Sequence, residues 1–373
     1  MQVFFTSPWV PAEWIKAHGL EPRGIWFAPQ FAFDSLPLSA GLCAFAHAAV
    51  RLAEKERESA VIFTTHCDQL RRGFDAVASP ALAPVFLFNL PATWQTPVGR
   101  QIFISELERL GDFLAGLGGH APSCGELLET MTHYGLARER LRGAAAGCAG
   151  RRYAEAVSRF HWDGSCPPAG DPFFRSQEGP SPRGLVPVAL IGGPLPRSQW
   201  DLLDIIERAG GRVVLNGTEA GERSLQPAFP LEALRAALAP GAPGTPPSRG
   251  ARGRLEADEE VEGRQSAAIP PASKAGCKPA LLEALTRAYI EGCVDVFQRP
   301  NTRLYAWLKE RLAARGVRGI VLWHYVGCDL WRAEAQPLRE AFGLPVLLLD
   351  ADEAAGGSLR IVGRIEAFLE AVS

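Results

Sequence analysis

Residues 60–72 read AVIFTTHCDQLRR, and residues 319–332 read GIVLWHYVGCDLWR. Each begins with a β-branched and aromatic run too short for a helix, which predicts a buried strand. Each then passes through a polar or aromatic step to Cys-Asp (Cys67-Asp68 and Cys328-Asp329), with an arginine (Arg71, Arg332) three residues after the aspartate. In open parallel α/β sheets, ligands bind outside the carboxyl ends of the strands. Both cysteines are therefore expected at the ligand-binding edge of a sheet, where a strand gives way to a helix. Asp68 and Asp329 are expected to cap those helices. The same helix ends favour a thiolate, the form that binds metal.

Working outward, the strand MQVFFTS precedes a helix in PAEWIKAHGL, and PRGIWFAP forms a second short strand. A helix is predicted over 41–56, with Leu42, Phe45, Ala49 and Leu52 on one face. PVFLFNLPA reads as a strand and GRQIFISELERLGDFLAGLGG as an amphipathic helix. After a largely helical stretch over 122–161, the rhythm restarts with the strand LVPVALIGGPLP, a helix, and the strand RVVLNGT. Strands alternating with helices imply parallel sheets covered on both faces. The expected fold is α/β, with two doubly wound (Rossmann- or flavodoxin-like) parallel-sheet domains and a cleft between them. Residues 1–162 form the N-terminal domain, 163–184 a Pro/Gly/Ser-rich linker, and 185–373 the C-terminal domain. Within the latter, 239–276 has a low-complexity composition that predicts a mobile insertion.

Composition removes several classes of function. The 373 residues carry 39 basic and 41 acidic side chains, for a formal charge of -2, and no basic stripe alternates with aromatics, which argues against nucleic acid. No apolar run approaches the length of a membrane span. MQVFFTSPWVP has no basic start and breaks at a proline, so a cytoplasmic location is expected. Eight cysteines without a CxxC pair write neither a zinc ribbon, nor a thioredoxin-like redox pair, nor a ferredoxin run, and without a secretory signal they argue against a disulfide framework. Any metal cluster has to be assembled from distant parts of the chain.

Several other residues carry candidate chemistry. His66 and His324 lie beside the two Cys-Asp turns, where a histidine can move a proton or donate to a cluster sulfur. Glu219 and Glu222, with Asn216 and Arg223, form a polar loop after a strand. Glu219 and Glu222 are candidate acid–base groups lining the cleft there, although solvated charge is the default for such a loop. Arg71 and Arg332 suit an anionic group but read first as solvated helix faces. LIGGPLP (190–196) lacks a GxGxxG pattern and a P-loop lysine, which argues against nucleotide binding. In QRPNTRLYAWL, Asn301 or Thr302 starts a helix, and Leu304, Trp307 and Leu308 read as core.

The succession GLCAFAH, TTHCDQLRR, GGPL, RVVLNGTEAGER, FQRPNTRLYAWL and YVGCDLW resembles the 2-hydroxyacyl-CoA dehydratase D-component family, which includes benzoyl-CoA reductase subunits and double-cubane cluster proteins. The resemblance covers nearly the whole chain apart from the insertion. It implies that Cys43, Cys67 and Cys328 hold a 4Fe-4S cluster, or a double-cubane iron–sulfur cluster, between two α/β domains. Three thiolates on a cubane leave one iron open to a ligand, as catalytic metals keep a free position. The resemblance also implies an ATP-hydrolysing iron–sulfur activator protein as electron donor, and a dimer, either a homodimer or a pair with a related second subunit. A small substrate, with acyl-CoA thioesters the dehydratase example, would be dehydrated or reduced, and His66, His324 and Glu219 are the catalytic candidates. Cys124, Cys148, Cys166, Cys277 and Cys293 match no motif and read as buried thiols. Two alternatives stand beside this reading: a non-catalytic iron–sulfur electron carrier, and a cluster-free two-domain protein closing on a small molecule.

Overall fold

The computed structural model describes residues 1–28, 41–145, 150–168, 184–227, 229–238, 277–351 and 359–373. The expected insertion at 239–276, Cys148 and most of the expected linker lie outside them.

The first sheet contains β1 (Gln2–Phe5), β2 (Glu21–Gly24), β3 (Ala60–Thr64) and β4 (Val85–Phe88), in the order β2-β1-β3-β4 and all parallel. The second contains β5 (Val186–Gly192), β6 (Gly211–Gly217), β7 (Gly319–His324) and β8 (Val346–Asp350), in the order β6-β5-β7-β8 and again all parallel. The two sheets thus repeat one topology, and β3 and β7 hold equivalent central places. That is why AVIFT and GIVLWH are buried at every position while the edge strand β4 alternates. A central strand covered on both faces needs a continuous apolar run, whereas an edge strand does not.

In the first half the helices are α1 (Ala12–Ala17), α2 (Ala44–Lys55), α3 (Asp68–Val77), α4 (Pro97–Gly116), α5 (Cys124–Ala144) and α6 (Gly150–Asp163). In the second half they are α7 (Asp201–Arg208), α8 (Leu231–Leu238), α9 (Cys277–Thr286), α10 (Thr302–Ala314), α11 (Asp329–Ala333), α12 (Ala335–Phe342) and α13 (Leu359–Val372). Helices α10 to α12 cover one face of the second sheet, where Leu304, Leu308, Trp331 and Leu338 meet Ile191, Leu215, Ile320 and Leu322. No described helix is long and apolar enough to cross a membrane.

The helix starts differ from the sequence expectations at two places. Asp68 and Asp329 do not cap their helices. Each is the first helical residue, and Cys67 and Cys328 occupy the cap positions. The helix predicted from 41 begins at Ala44, because Cys43 is in extended backbone (φ -69, ψ 160) and its Sγ accepts from the Ala46 N–H at 3.4 Å. All three cysteines therefore stand at helix N-termini.

Residues 277–291, inside the expected second domain, pack on helices of the first. Arg100 on α4 pairs with Glu291 at 2.6 Å, and Lys278 lies over the Trp14 ring. The Tyr289 hydroxyl donates to Glu13 at 2.7 Å, and Arg138 on α5 joins both in a buried network. A disulfide between Cys124 and Cys277 ties α5 to α9 across 153 residues, so these two are not the free buried thiols that the sequence suggests. Closing so long a loop restricts the unfolded chain. Cys277→Ser is expected to lower unfolding stability by about 2–4 kcal/mol, read as a shift in the urea midpoint under oxidising conditions. An unchanged midpoint would show that the bond constrains nothing.

Candidate functional site

The carboxyl ends of the two sheets face one another across a cavity of about 250 Å³. The strand order of each sheet reverses beside its first strand, and at that switch point the loops after neighbouring strands diverge and leave a crevice. Thr6 after β1 and Thr65, His66 and Cys67 after β3 enter it from one lobe. Pro194 after β5, Glu219 after β6 and Tyr325, Gly327 and Cys328 after β7 enter from the other. Cys43 and Phe45 reach the same cavity from the start of α2.

Local backbone chemistry aims each thiol. Gly327 has φ +82, a conformation that residues with a Cβ rarely adopt, and it turns the chain from β7 so that Cys328 faces inward. The Cys43 N–H donates to Gln69 Oε1 at 2.8 Å, which locks the start of α2 to the first turn of α3 and so fixes Cys43 relative to Cys67. In the GGP turn, a side chain on Gly192 would lie 1.9 Å from the Trp323 carbonyl oxygen, so this glycine serves close approach of β5 to β7 rather than a phosphate.

The three thiols are all held above their ordinary pKa, Cys67 at about 11 and Cys328 at about 12. Burial is the largest cause for each, and each is raised further by charge on neighbouring groups, including a second of the three cysteines for Cys43 and Cys328. Helix-start N–H groups pull the other way: Gln69 and Leu70 for Cys67, Ala46 and Phe45 for Cys43, and Trp331 for Cys328. Such thiols are protonated at neutral pH until a metal displaces the proton. Among the described residues, no three His, Cys, Asp or Glu side chains are grouped to hold a single metal ion.

The rest of the lining separates the candidates. His66 is half-buried, its Nδ1 is 2.8 Å from Thr64 Oγ1, and burial lowers its pKa to about 4, so the ring is neutral. His324 is buried on β7, its Nδ1–H donates to the Tyr325 carbonyl at 3.0 Å, and it does not line the cavity. Glu219 is 2% exposed, lines the cavity, and its Oε2 has no hydrogen-bond partner in the protein. Burial raises its pKa to about 8, with Arg223 opposing and Asp295 reinforcing the shift. Arg71 is an exposed partner of Asp68 at 3.6 Å, and Arg332 is exposed.

The loop expected to be solvated is instead buried. Asn216 Oδ1 accepts from the N–H and hydroxyl of Thr218, closing a tight turn that places Glu219. Glu222 points away from the cavity to Arg315 at 2.6 Å and Arg311 at 3.3 Å. Arg223 donates to the carbonyls of Gly217 (2.6 Å), Val294 (3.2 Å) and Gly192 (2.9 Å) and pairs with Asp295. Its guanidinium also lies 4.9 Å from the Trp331 ring centre. It thereby joins the ends of β5 and β6 to two cavity-lining residues, Asp295 and Trp331. Asp295 escapes sequence reasoning; its one signal is an acid bracketed by Val294 and Val296. Cys166 and Cys293 are free thiols outside the cavity lining.

A family model described as 2-hydroxyglutaryl-CoA dehydratase, D-component, matches residues 9–154 and 273–372. These spans include Cys43, Cys67 and Cys328, strands β2 to β4 of the first sheet and β7 and β8 of the second, while β1, β5, β6 and Glu219 lie outside them. No curated protein matches the chain.

Proposed function

We propose, for a chain that belongs to the 2-hydroxyglutaryl-CoA dehydratase D-component family, that it holds a 4Fe-4S cluster on Cys43, Cys67 and Cys328. We further propose that it dehydrates or reduces a small substrate with a low-potential electron from an ATP-hydrolysing activator protein. The observation that carries this reading is the convergence of three helix-start thiols, from both lobes, on one cavity. Cluster thiolates each bind a different iron, so they need not crowd as ligands of a single ion do. The N–H groups behind each sulfur favour its anionic form. When bound, the cluster supplies the electron and an iron with a free coordination position.

The chain's own residues supply the remainder. Trp331, Leu70 and Val296 wall the cavity and restrict water. Glu219, protonated near neutral pH by its burial, is the proton donor, and neutral His66 is the second group able to move a proton. A closed electron carrier needs no such lined space beside its ligands, which favours an enzyme. The test is turnover by the loaded protein given a family activator, a reductant and short 2-hydroxyacyl thioesters. Loss of water is expected only with both ATP and activator present. Equal turnover without ATP would refute the activator's part, and no turnover of any thioester or small reducible molecule would favour the carrier.

A further inference from the structure

Charge is unevenly distributed around the cavity. Asp68, Glu219, Asp295 and Asp329 line it, and no lysine or arginine does so among the described residues. Asp68 and Asp329 are exposed at the rim, one from each lobe. Arg71 sits 3.6 Å from Asp68, but both side chains are largely in solvent, which screens the pair. Deeper in, Asp295 is matched by Arg223 behind it, whose other bonds go to three backbone carbonyls. Glu219 contributes the one buried polar atom of the lining, Oε2, that has no protein partner. An anion entering this space would pass two carboxylates and lose its hydration with no cation to replace it. An uncharged group pays neither cost. The volume, about 250 Å³, equals roughly eight waters at ~30 Å³ each, and a bound cluster takes part of it.

We infer that the group admitted beside the three cysteines is small and uncharged, bearing a carbonyl, hydroxyl or amide, and that carboxylates and phosphates are kept out. The inference rests on the proposed role of the cavity as the substrate site. Such a group has two possible sources, a free small molecule or the acyl end of a thioester whose phosphate-bearing tail stays outside. A shallow groove that shares Thr65 with the cavity carries Arg71 and Arg109; Arg109 is paired with Glu106 of the same groove at 2.6 Å, which leaves the exposed Arg71 to meet such a tail.

The experiment uses the full chain, with propionamide and propionate as matched probes, titrated by ligand-observed NMR near neutral pH. Propionamide is expected to bind at least about tenfold more tightly than propionate. In Asp68→Asn/Asp329→Asn the gap is expected to narrow through a gain in propionate affinity alone; both positions are exposed, so the fold is retained. Propionate binding as tightly as the amide in wild type, a gap unchanged in the double variant, or no binding of either probe would overturn the inference. Comparing propionyl-CoA with the propionyl thioester of N-acetylcysteamine separates the sources. Tighter binding of the former, lost in Arg71→Ala, assigns a carrier-borne acyl group, and equal binding assigns a free molecule; the uncharged end is admitted in both cases. Iron and sulfide measured on the same preparation keep the two readings apart. Amide preference without iron uptake would sink the cluster and leave this inference, and iron uptake without preference would do the reverse.

Discussion

Arg223→Met is expected to destabilise the protein by about 3–5 kcal/mol, the usual cost of stranding one member of a buried ion pair. The side chain is completely buried, and its loss would leave Asp295 charged at 3% exposure and three carbonyls without their donor. It would also remove the cation beside Trp331. Replacing both partners by apolar residues, Arg223→Met with Asp295→Leu, is expected to recover part of that loss, because the uncompensated charge is gone. Urea denaturation of the two variants checks this. A single variant within about 1 kcal/mol of wild type, or a double variant less stable than the single, would mean that Arg223 does not form the joint between the strand ends and the cavity wall.

Glu219→Gln is expected to lower turnover by about two to four orders of magnitude, the usual contribution of a positioned proton donor. The same substitution should also change how stability depends on pH. In the folded protein Glu219 keeps its proton up to about pH 8, whereas an unfolded glutamate releases it near ~4.3. Between those values the folded state binds more protons, so wild-type stability falls as pH rises toward 8. Glutamine cannot titrate and removes that part of the slope. Denaturant midpoints of wild type and variant should therefore run together below about pH 4, draw apart progressively between about pH 4 and 8, and stay apart above that, with the variant the more stable there. Parallel curves would show that Glu219 carries no buried proton, whatever happens to turnover.

The double Cys-Asp turn was legible in sequence because the two lobes repeat one strand order. β3 and β7 are both central, both need an unbroken apolar run, and both end at a switch point. Cys43 had no such signal. It follows no strand, and only the family resemblance joins it to the other two; in the fold the bond from its N–H to Gln69 makes the connection. The capping assignment failed because a cap is decided by backbone conformation, and the chain turns helical one position earlier than the aspartates suggest, which leaves the cysteines at the caps. The loop carrying Glu219 and Arg223 reads as solvated because a sequence displays charges but not what covers them. Here the covering comes from residues 294–296 and Trp331, more than 70 positions away. The disulfide was illegible for the same reason, since its halves are 153 residues apart.

The most direct measurement is iron and sulfide content, with the visible spectrum, after anaerobic reconstitution of wild type and of Cys43→Ser, Cys67→Ser, Cys328→Ser and Cys293→Ser. The proposal predicts roughly four irons per cubane and a brown absorbance in wild type, retained in Cys293→Ser, whose thiol does not line the cavity, and lost or much reduced in each of the other three. A wild type that stays colourless and iron-free, or iron retained in full when Cys43, Cys67 or Cys328 is replaced, would contradict the assignment of the cluster to these thiols.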